Sequence, residues 1–241
     1  MAKILLTCLL MFCVNLFSQN IEITYKASVK HIDTIQNEKN SQIIKRITNG
    51  VNRILPSIEF VVVSDNEYYN VKYQQMMISD YENESYLNLA VTIALDGNFI
   101  IGDLESSKSY YESGQTNKIK KVRMDNITWS LSKETKTILG YVCYKALAET
   151  IDLNEDNKLN PPRVAWFAPD LNFRGGPTAY ANLPGIILEM ETPKTIFKAI
   201  SVKNKKKVDL KRPNYNQENV LSHKELEQYF IDNSPISGSR N

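Results

Sequence analysis

Tyr141-Val142-Cys143-Tyr144-Lys145-Ala146-Leu147-Ala148-Glu149-Thr150-Ile151 is the segment that decides the fold class. Successive residues of an extended chain point to opposite faces. Tyr141 and Cys143 therefore fall on one side, and Val142, Tyr144, Ala146 and Ala148 on the other. Both rows are apolar. Such a strand predicts a sheet covered on both faces, or one whose second face lines a cavity.

Strand patterns extend from this segment in both directions. Ile127-Thr128-Trp129-Ser130-Leu131 precedes it, and 164–168, 185–191 and 196–202 follow Pro161-Pro162. Near the start, Ile21, Ile23, Tyr25, Ala27 and Val29 alternate with more polar neighbours. Residues 58–63 form a β-branched run, and 68–78 read as a second extended stretch. Leu87, Leu89, Val91, Ile93 and Leu95 alternate with Asn88, Ala90, Thr92 and Ala94. With the turn Asp96-Gly97-Asn98 and Phe99-Ile100-Ile101 behind them, they predict a hairpin. Residues 103–118, polar and Ser-rich, predict a long surface loop.

Two stretches carry helical spacing. Ile43, Ile44, Ile47, Val51, Ile54 and Leu55 run up to Pro56, and Ser222-His223-Lys224-Glu225 is a capping box ahead of Leu226, Tyr229 and Phe230. The expected fold is mainly β (α+β). It is one large curved antiparallel sheet, or a half-open barrel, with helices 43–55 and 223–232 packed on one face.

The N-terminus reads as a signal peptide. Lys3 precedes an apolar run over residues 4–17 that ends at Ser18-Gln19, too short for a membrane span. The expected organisation is a signal peptide over 1–18, one β-rich domain over 19–234, and a disordered tail over 235–241. The location is periplasmic or secreted, at the cell envelope. Cleavage after Ser18 removes one basic residue and no acid from the 29 basic and 27 acidic residues, so the mature chain is close to neutral. That balance argues against a nucleic-acid partner. No later run approaches spanning length, so no transmembrane segment is expected in the mature chain.

Candidate chemistry is sparse. Two of the three cysteines lie in the leader, and Cys143 alone in a strand reads as a buried hydrophobe more readily than as a nucleophile. Asp152-Leu153-Asn154-Glu155-Asp156 begins like a calcium loop. Asn157 then stands where the sharp turn needs Gly, and Arg163 where the closing Glu belongs, so a solvated loop is expected. His31 and His223 show no spacing that would join them to Cys143 in a metal site or dyad. No metal and no cofactor is expected. Lys203, Lys205, Lys206, Lys207, Lys211 and Arg212 form one basic cluster, read as protection of a sheet edge or, less simply, as a contact for anionic lipid or polysaccharide.

Three short motifs in fixed order resemble the GLPGLI family. Asn182-Leu183-Pro184-Gly185-Ile186-Ile187-Leu188-Glu189 is similar to its naming signature, with Asn182 in the first Gly position. Glu134-Thr135-Lys136 with Gly140-Tyr141-Val142-Cys143-Tyr144-Lys145-Ala146 resembles its second hallmark. Ala165-Trp166-Phe167-Ala168-Pro169 and Gly176-Pro177 resemble the stretch that joins the two. The resemblance implies an exported protein of Bacteroidota and supplies no catalytic residues. The candidate site residues are therefore the signature positions Tyr141, Cys143, Lys145, Trp166, Pro169, Gly176, Pro177, Leu183, Pro184 and Gly185. The leading expectation is a non-catalytic module that binds a hydrophobic ligand or a partner such as an outer-membrane protein. An envelope hydrolase or thiol-dependent enzyme using Cys143, and an accessory to an outer-membrane transporter, are the alternatives.

Export is directly testable. N-terminal sequencing of the protein recovered from the native cell envelope is expected to begin near Gln19; recovery of an intact Met1 would overturn the reading.

Overall fold

The computed structural model describes residues 20–30, 38–74, 81–95, 97–113, 120–124, 127–149, 162–213 and 220–232. The expected signal peptide at 1–18, His31, most of the acidic stretch at 152–163, and residues 235–241, expected to be disordered, lie outside the described residues. The first half of the chain runs β1 (Asn20–Val29), α1 (Glu38–Ile54), β2 (Glu59–Ser64), β3 (Tyr68–Gln74), α2 (Tyr81–Leu95), β4 (Phe99–Asp103), β5 (Lys108–Ser113) and β6 (Lys120–Met124). The second half adds β7 (Trp129–Ile138), β8 (Tyr141–Ala148), β9 (Val164–Ala168), β10 (Ile186–Glu191), β11 (Thr195–Lys205), β12 (Val220–Ser222) and α3 (His223–Asp232).

These twelve strands form one open, curved sheet in the order β12-β6-β5-β4-β3-β2-β1-β11-β10-β9-β8-β7. The expected mainly β fold is present, with one departure from antiparallel pairing: β12 runs parallel to β6. Ile21, Ile23 and Tyr25 of β1 stand opposite Ser64, Val62 and Phe60 of β2, and these face Tyr69, Val71 and Tyr73 of β3. This row is the core face. Phe60 and Phe197 meet edge to face there, with ring centroids 5.4 Å apart. Removing each such ring from water contributes about 1.5–3 kcal/mol.

Three helices are described, one more than expected. The additional one corrects the sequence reading: residues 87–95 are not a hairpin strand but the second half of α2. Leu87, Ala90, Val91, Ala94 and Leu95 are its buried residues, at the three-and-four spacing of a helix face. The two alanines, counted as the weaker partners of an alternating pattern, belong to the apolar face. Residues 103–118 likewise are not all loop, because β5 lies within them. Ser109 and Tyr111 are buried on its inner side and Tyr110 is half-buried on the other. Among the described residues no helix is long and apolar enough to cross a membrane.

Residues 169–185, between β9 and β10, cross the core face. Phe173, Gly175, Gly176, Pro177, Thr178, Ala179, Tyr180, Ala181 and Leu183 are all buried. Ser64 Oγ donates to Arg174 O (2.7 Å), Asn66 Nδ2 to Asn172 O (2.7 Å), and Tyr69 Oη to Thr178 O (3.0 Å). The loop therefore spans from β9 to the β2–β3 hairpin. Behind it, Ile187 N donates to Gly175 O (2.9 Å), and the buried Tyr25 hydroxyl donates to Ile187 O. On the opposite face, residues 207–213 cross above Asn70, whose side chain exchanges two hydrogen bonds with the Lys211 backbone (2.6 and 2.9 Å).

The basic cluster is dispersed by this path. Lys205 lies 3.2 Å from Glu22, Lys211 3.9 Å from Glu112, and Arg212 3.4 Å from Asp65 and 3.2 Å from Glu67. Three of its six cations are therefore opposite carboxylates.

Gly185 closes the crossing loop, and its backbone does not have a positive φ. A Cβ there would stand 2.9 Å from Ala168 C and 2.9 Å from Pro169 N, contacts made by backbone that cannot swing aside. Pro184 beside it is exposed. Gly185→Ala is expected to cost about 1–3 kcal/mol through overpacking, with Pro184→Ala costing much less. Thermal unfolding of the two variants checks this, and equal melting temperatures would contradict it.

Candidate functional site

The structure splits the signature residues into two groups. Pro169, Gly176, Pro177, Leu183, Pro184 and Gly185 belong to the crossing loop, where all but the half-buried Pro169 and the exposed Pro184 are buried. Tyr141, Cys143, Lys145 and Trp166 lie on β8 and β9, at the other end of the molecule's second half. Asn182 of the crossing loop reaches the start of β7: its amide donates to Ile127 O (2.9 Å) and its oxygen accepts from Trp129 Nε1 (2.9 Å).

Lys145, Trp166 and Glu189 are register neighbours across β8, β9 and β10. The half-buried Trp166 ring lies beneath two ammonium groups, Lys136 Nζ at 4.2 Å from its centroid and Lys145 Nζ at 5.9 Å. Lys136 is 2.8 Å from Glu189, and Lys145 bridges both oxygens of Glu134 at 2.9 and 3.0 Å. Exposed cation–π contacts contribute about 0.5–1 kcal/mol each and exposed ion pairs no more. The group therefore fixes side-chain positions on a sheet surface more than it stabilises the fold. Lys136 and Glu134 were legible in principle. The Leu139-Gly140 turn joins β7 to β8, and both its residues have positive φ (51° and 86°). That turn sets Glu134 across from Lys145.

Cys143 is wholly buried, and desolvation pushes its thiol up to about 11. Its Sγ lies 3.6 Å from Tyr141 O. A thiol that stays protonated in neutral solution is a poor nucleophile. Among the described residues no cluster of three or more His, Cys, Asp or Glu is arranged to hold a metal. His223 opens α3.

The other row of β8 departs from the sequence expectation, because it is apolar and yet bare. Ala27, Phe197, Met190, Ala165, Ala146 and Leu131 follow one another across β1, β11, β10, β9, β8 and β7 on the core face. Burial is complete or nearly so as far as Ala146, and then Leu131 is 58% exposed. In the next rows Tyr144 is 39% and Val142 43% exposed. Tyr144 leans on the buried Phe167, with ring centroids 6.2 Å apart. The crossing loop leaves β9 toward β2 and reaches back only to Trp129 at the start of β7, through Asn182, so Leu131, Val142 and Tyr144 stay exposed.

Residues 23–226 match the family described as N-glycanase peptide, N-terminal domain. The chain belongs to that family. Two solved structures, of PNGF-II in its C2 and P21 crystal forms, share the fold with a TM-score of 0.50 and 16% identity each. They cover 88% and 87% of this chain, which in turn spans 32% of theirs, about a third of their length. A comparison with curated proteins gives no match.

The buried thiol makes a kinetic prediction. At pH 8 the folded protein is expected to resist iodoacetamide for hours and to react within minutes once denatured. Above pH 9 the sign is fixed as well. The folded thiol ionises near 11, above its usual value, so its stabilising contribution is whole below about pH 9 and is lost as pH rises through 11. The buried Tyr25 and Tyr69 phenols, raised by desolvation, act in the same direction at still higher pH. Rapid labelling of the native protein would contradict the assignment.

Proposed function

We propose that this chain is an exported, non-catalytic binding module that holds a protein partner at the cell envelope, against the bare end of its core face. The observation that carries the reading is the exposed apolar strip of Leu131, Val142 and Tyr144, continuous with the buried core. Contiguous exposed apolar surface of this kind is characteristic of interaction sites. Tyrosine, like other aromatic residues, is enriched at interfaces.

Membership of the N-glycanase N-terminal domain family gives the partner a class. The proposed partner is a glycan-processing enzyme or the glycoprotein on which one acts. The kinship with the GLPGLI family belongs to the same proposal, resting on the motifs at 134–146, 165–177 and 182–189. A hydrophobic ligand is the weaker reading, because the crossing loop occupies the core face over β1 and β2. The thiol-dependent enzyme is weaker still, since Cys143 has no exposed surface and a raised pKa.

The test replaces the strip while sparing the core. Leu131→Ser, Val142→Ser and Tyr144→Ser together are expected to leave the melting temperature within a few degrees. They are also expected to abolish co-purification, from the native envelope, of a partner identified by mass spectrometry with the unaltered protein. Undiminished co-purification by the triple variant would overturn the reading.

A further inference from the structure

The tip of the β7–β8 hairpin holds a leucine in a backbone conformation that favours other residues. Ile138 and Tyr141 are register partners, so Leu139 and Gly140 form a two-residue turn, and both have positive φ. That is the pattern of a type I′ turn, whose first central position is normally Asn, Asp or Gly. A bulky side chain in the left-handed region is strained, and such strain gathers at sites of function. Packing does not compensate for it here. Leu139 is 47% exposed, and a Cβ at Gly140 would meet nothing within 4 Å. The turn therefore stands in open space with an apolar side chain at its end. Ile138 and Tyr141 are half-buried behind it, and residues 135–142 contain no Asp or Glu.

Strand register puts part of the basic cluster at this same end of the sheet. β10 starts at Ile186, opposite Ala168 of β9. Past that row the hairpin runs on to its turn, and β11 runs on in the same direction to Lys205, opposite Asn20. Lys205 is taken by Glu22. Lys206 and Lys207 follow it, both exposed, and neither lies opposite a carboxylate among the described residues. Between the hairpin and β11 the short turn Pro169–Leu171 adds one exposed acid, Asp170.

We infer that this end of the sheet docks on an anionic phospholipid surface, with Leu139 inserted below the headgroups and Lys206 and Lys207 against them. A single protruding apolar side chain on a two-residue turn offers little area to a flat protein surface, whereas a bilayer deforms around it. Tyr141, one residue behind the turn, is of the amphipathic type that lies at the boundary between lipid and water. One apolar anchor gives only marginal attachment, and basic residues beside it supply the second contribution that stable docking needs. Lys136 and Lys145, held by Glu189 and Glu134, have no part in the contact.

Co-sedimentation with vesicles tests the assignment, using the form expected after export, residues 19–241, which keeps every described element. Saturable binding to vesicles of phosphatidylcholine mixed with phosphatidylglycerol is expected. Binding to phosphatidylcholine alone is expected to be weaker, and added salt is expected to lower affinity for the mixture. Leu139→Asn is expected to bind the mixed vesicles roughly tenfold more weakly. It should also melt at the same or a higher temperature, because Asn accepts the left-handed turn position. Lys206→Gln with Lys207→Gln is expected to remove the preference for the anionic mixture. No binding by the unaltered chain would assign Leu139 to a protein pocket and overturn the inference. Unchanged binding by Leu139→Asn, a drop in its melting temperature, or an undiminished anionic preference in the lysine variant would each overturn it as well. Vesicle binding is read with no partner protein present, so it stands or falls apart from the contact proposed at Leu131, Val142 and Tyr144.

Discussion

The buried hydroxyl of Tyr69 is the constraint on which the rest of the arrangement depends. It meets Ser109 Oγ at 3.1 Å and donates to Thr178 O at 3.0 Å, joining β3, β5 and the crossing loop at one atom. Leaving such a hydroxyl unpaired in the core would cost about 1–3 kcal/mol, so the loop must bring a carbonyl to it. The ring needs space as well. It lies across Gly102 of β4, where a Cβ would fall 1.6 Å from the ring, so only glycine fits opposite it. One side chain thereby fixes the residue opposite it in β4 and the path of the loop from β9.

That path decides which parts of the sheet are covered. Leaving β9 at Pro169, the loop turns toward the β2–β3 hairpin, where Ser64, Asn66 and Tyr69 hold it. Helices α1 and α2 pack on one another, and the short turn at Leu55–Ser57 seats them beside β1. Asn182 of the loop reaches Trp129 at the start of β7, but Leu131, Val142 and Tyr144 on β7 and β8 lie beyond both covers. These three keep a core composition without a core environment, which is the physical basis for proposing a partner there.

Much of this was legible in the sequence, and the failures have physical causes. Strands with β-branched runs or strict alternation, such as 58–63 and 21–29, declare themselves because neither pattern suits an amphipathic helix. α2 was misread because Leu87, Leu89, Val91, Ile93 and Leu95 satisfy a period of two. The deciding residues, Ala90 and Ala94, are small enough to pass for either side. The two apolar rows of β8 were read correctly as a pattern. Which row is covered depends on a loop that starts only after β9, at Pro169, and local pattern holds no record of it. The signature residues also look like one site in sequence. In space Gly185 serves the loop's close approach to β9 and Gly176 its approach to Ile187 of β10, while Lys145 and Trp166 lie on the other side of the sheet.

Among the described residues β7 is the edge strand of the sheet, which bears on how a partner would approach. An open strand edge invites pairing with another chain, and proteins blunt it with charge and irregularity. β7 does both. Its register with β8 breaks between Leu131 and Thr135, and Lys133 and Glu134 stand exposed within that break. A strand added along this edge would meet a bulge and two charges at its centre. The face just inside the edge offers Leu131, Val142 and Tyr144 on backbone already paired between β7 and β8. The geometry therefore favours a partner that lies across the face over one that extends the sheet, and the serine replacements address that mode of contact.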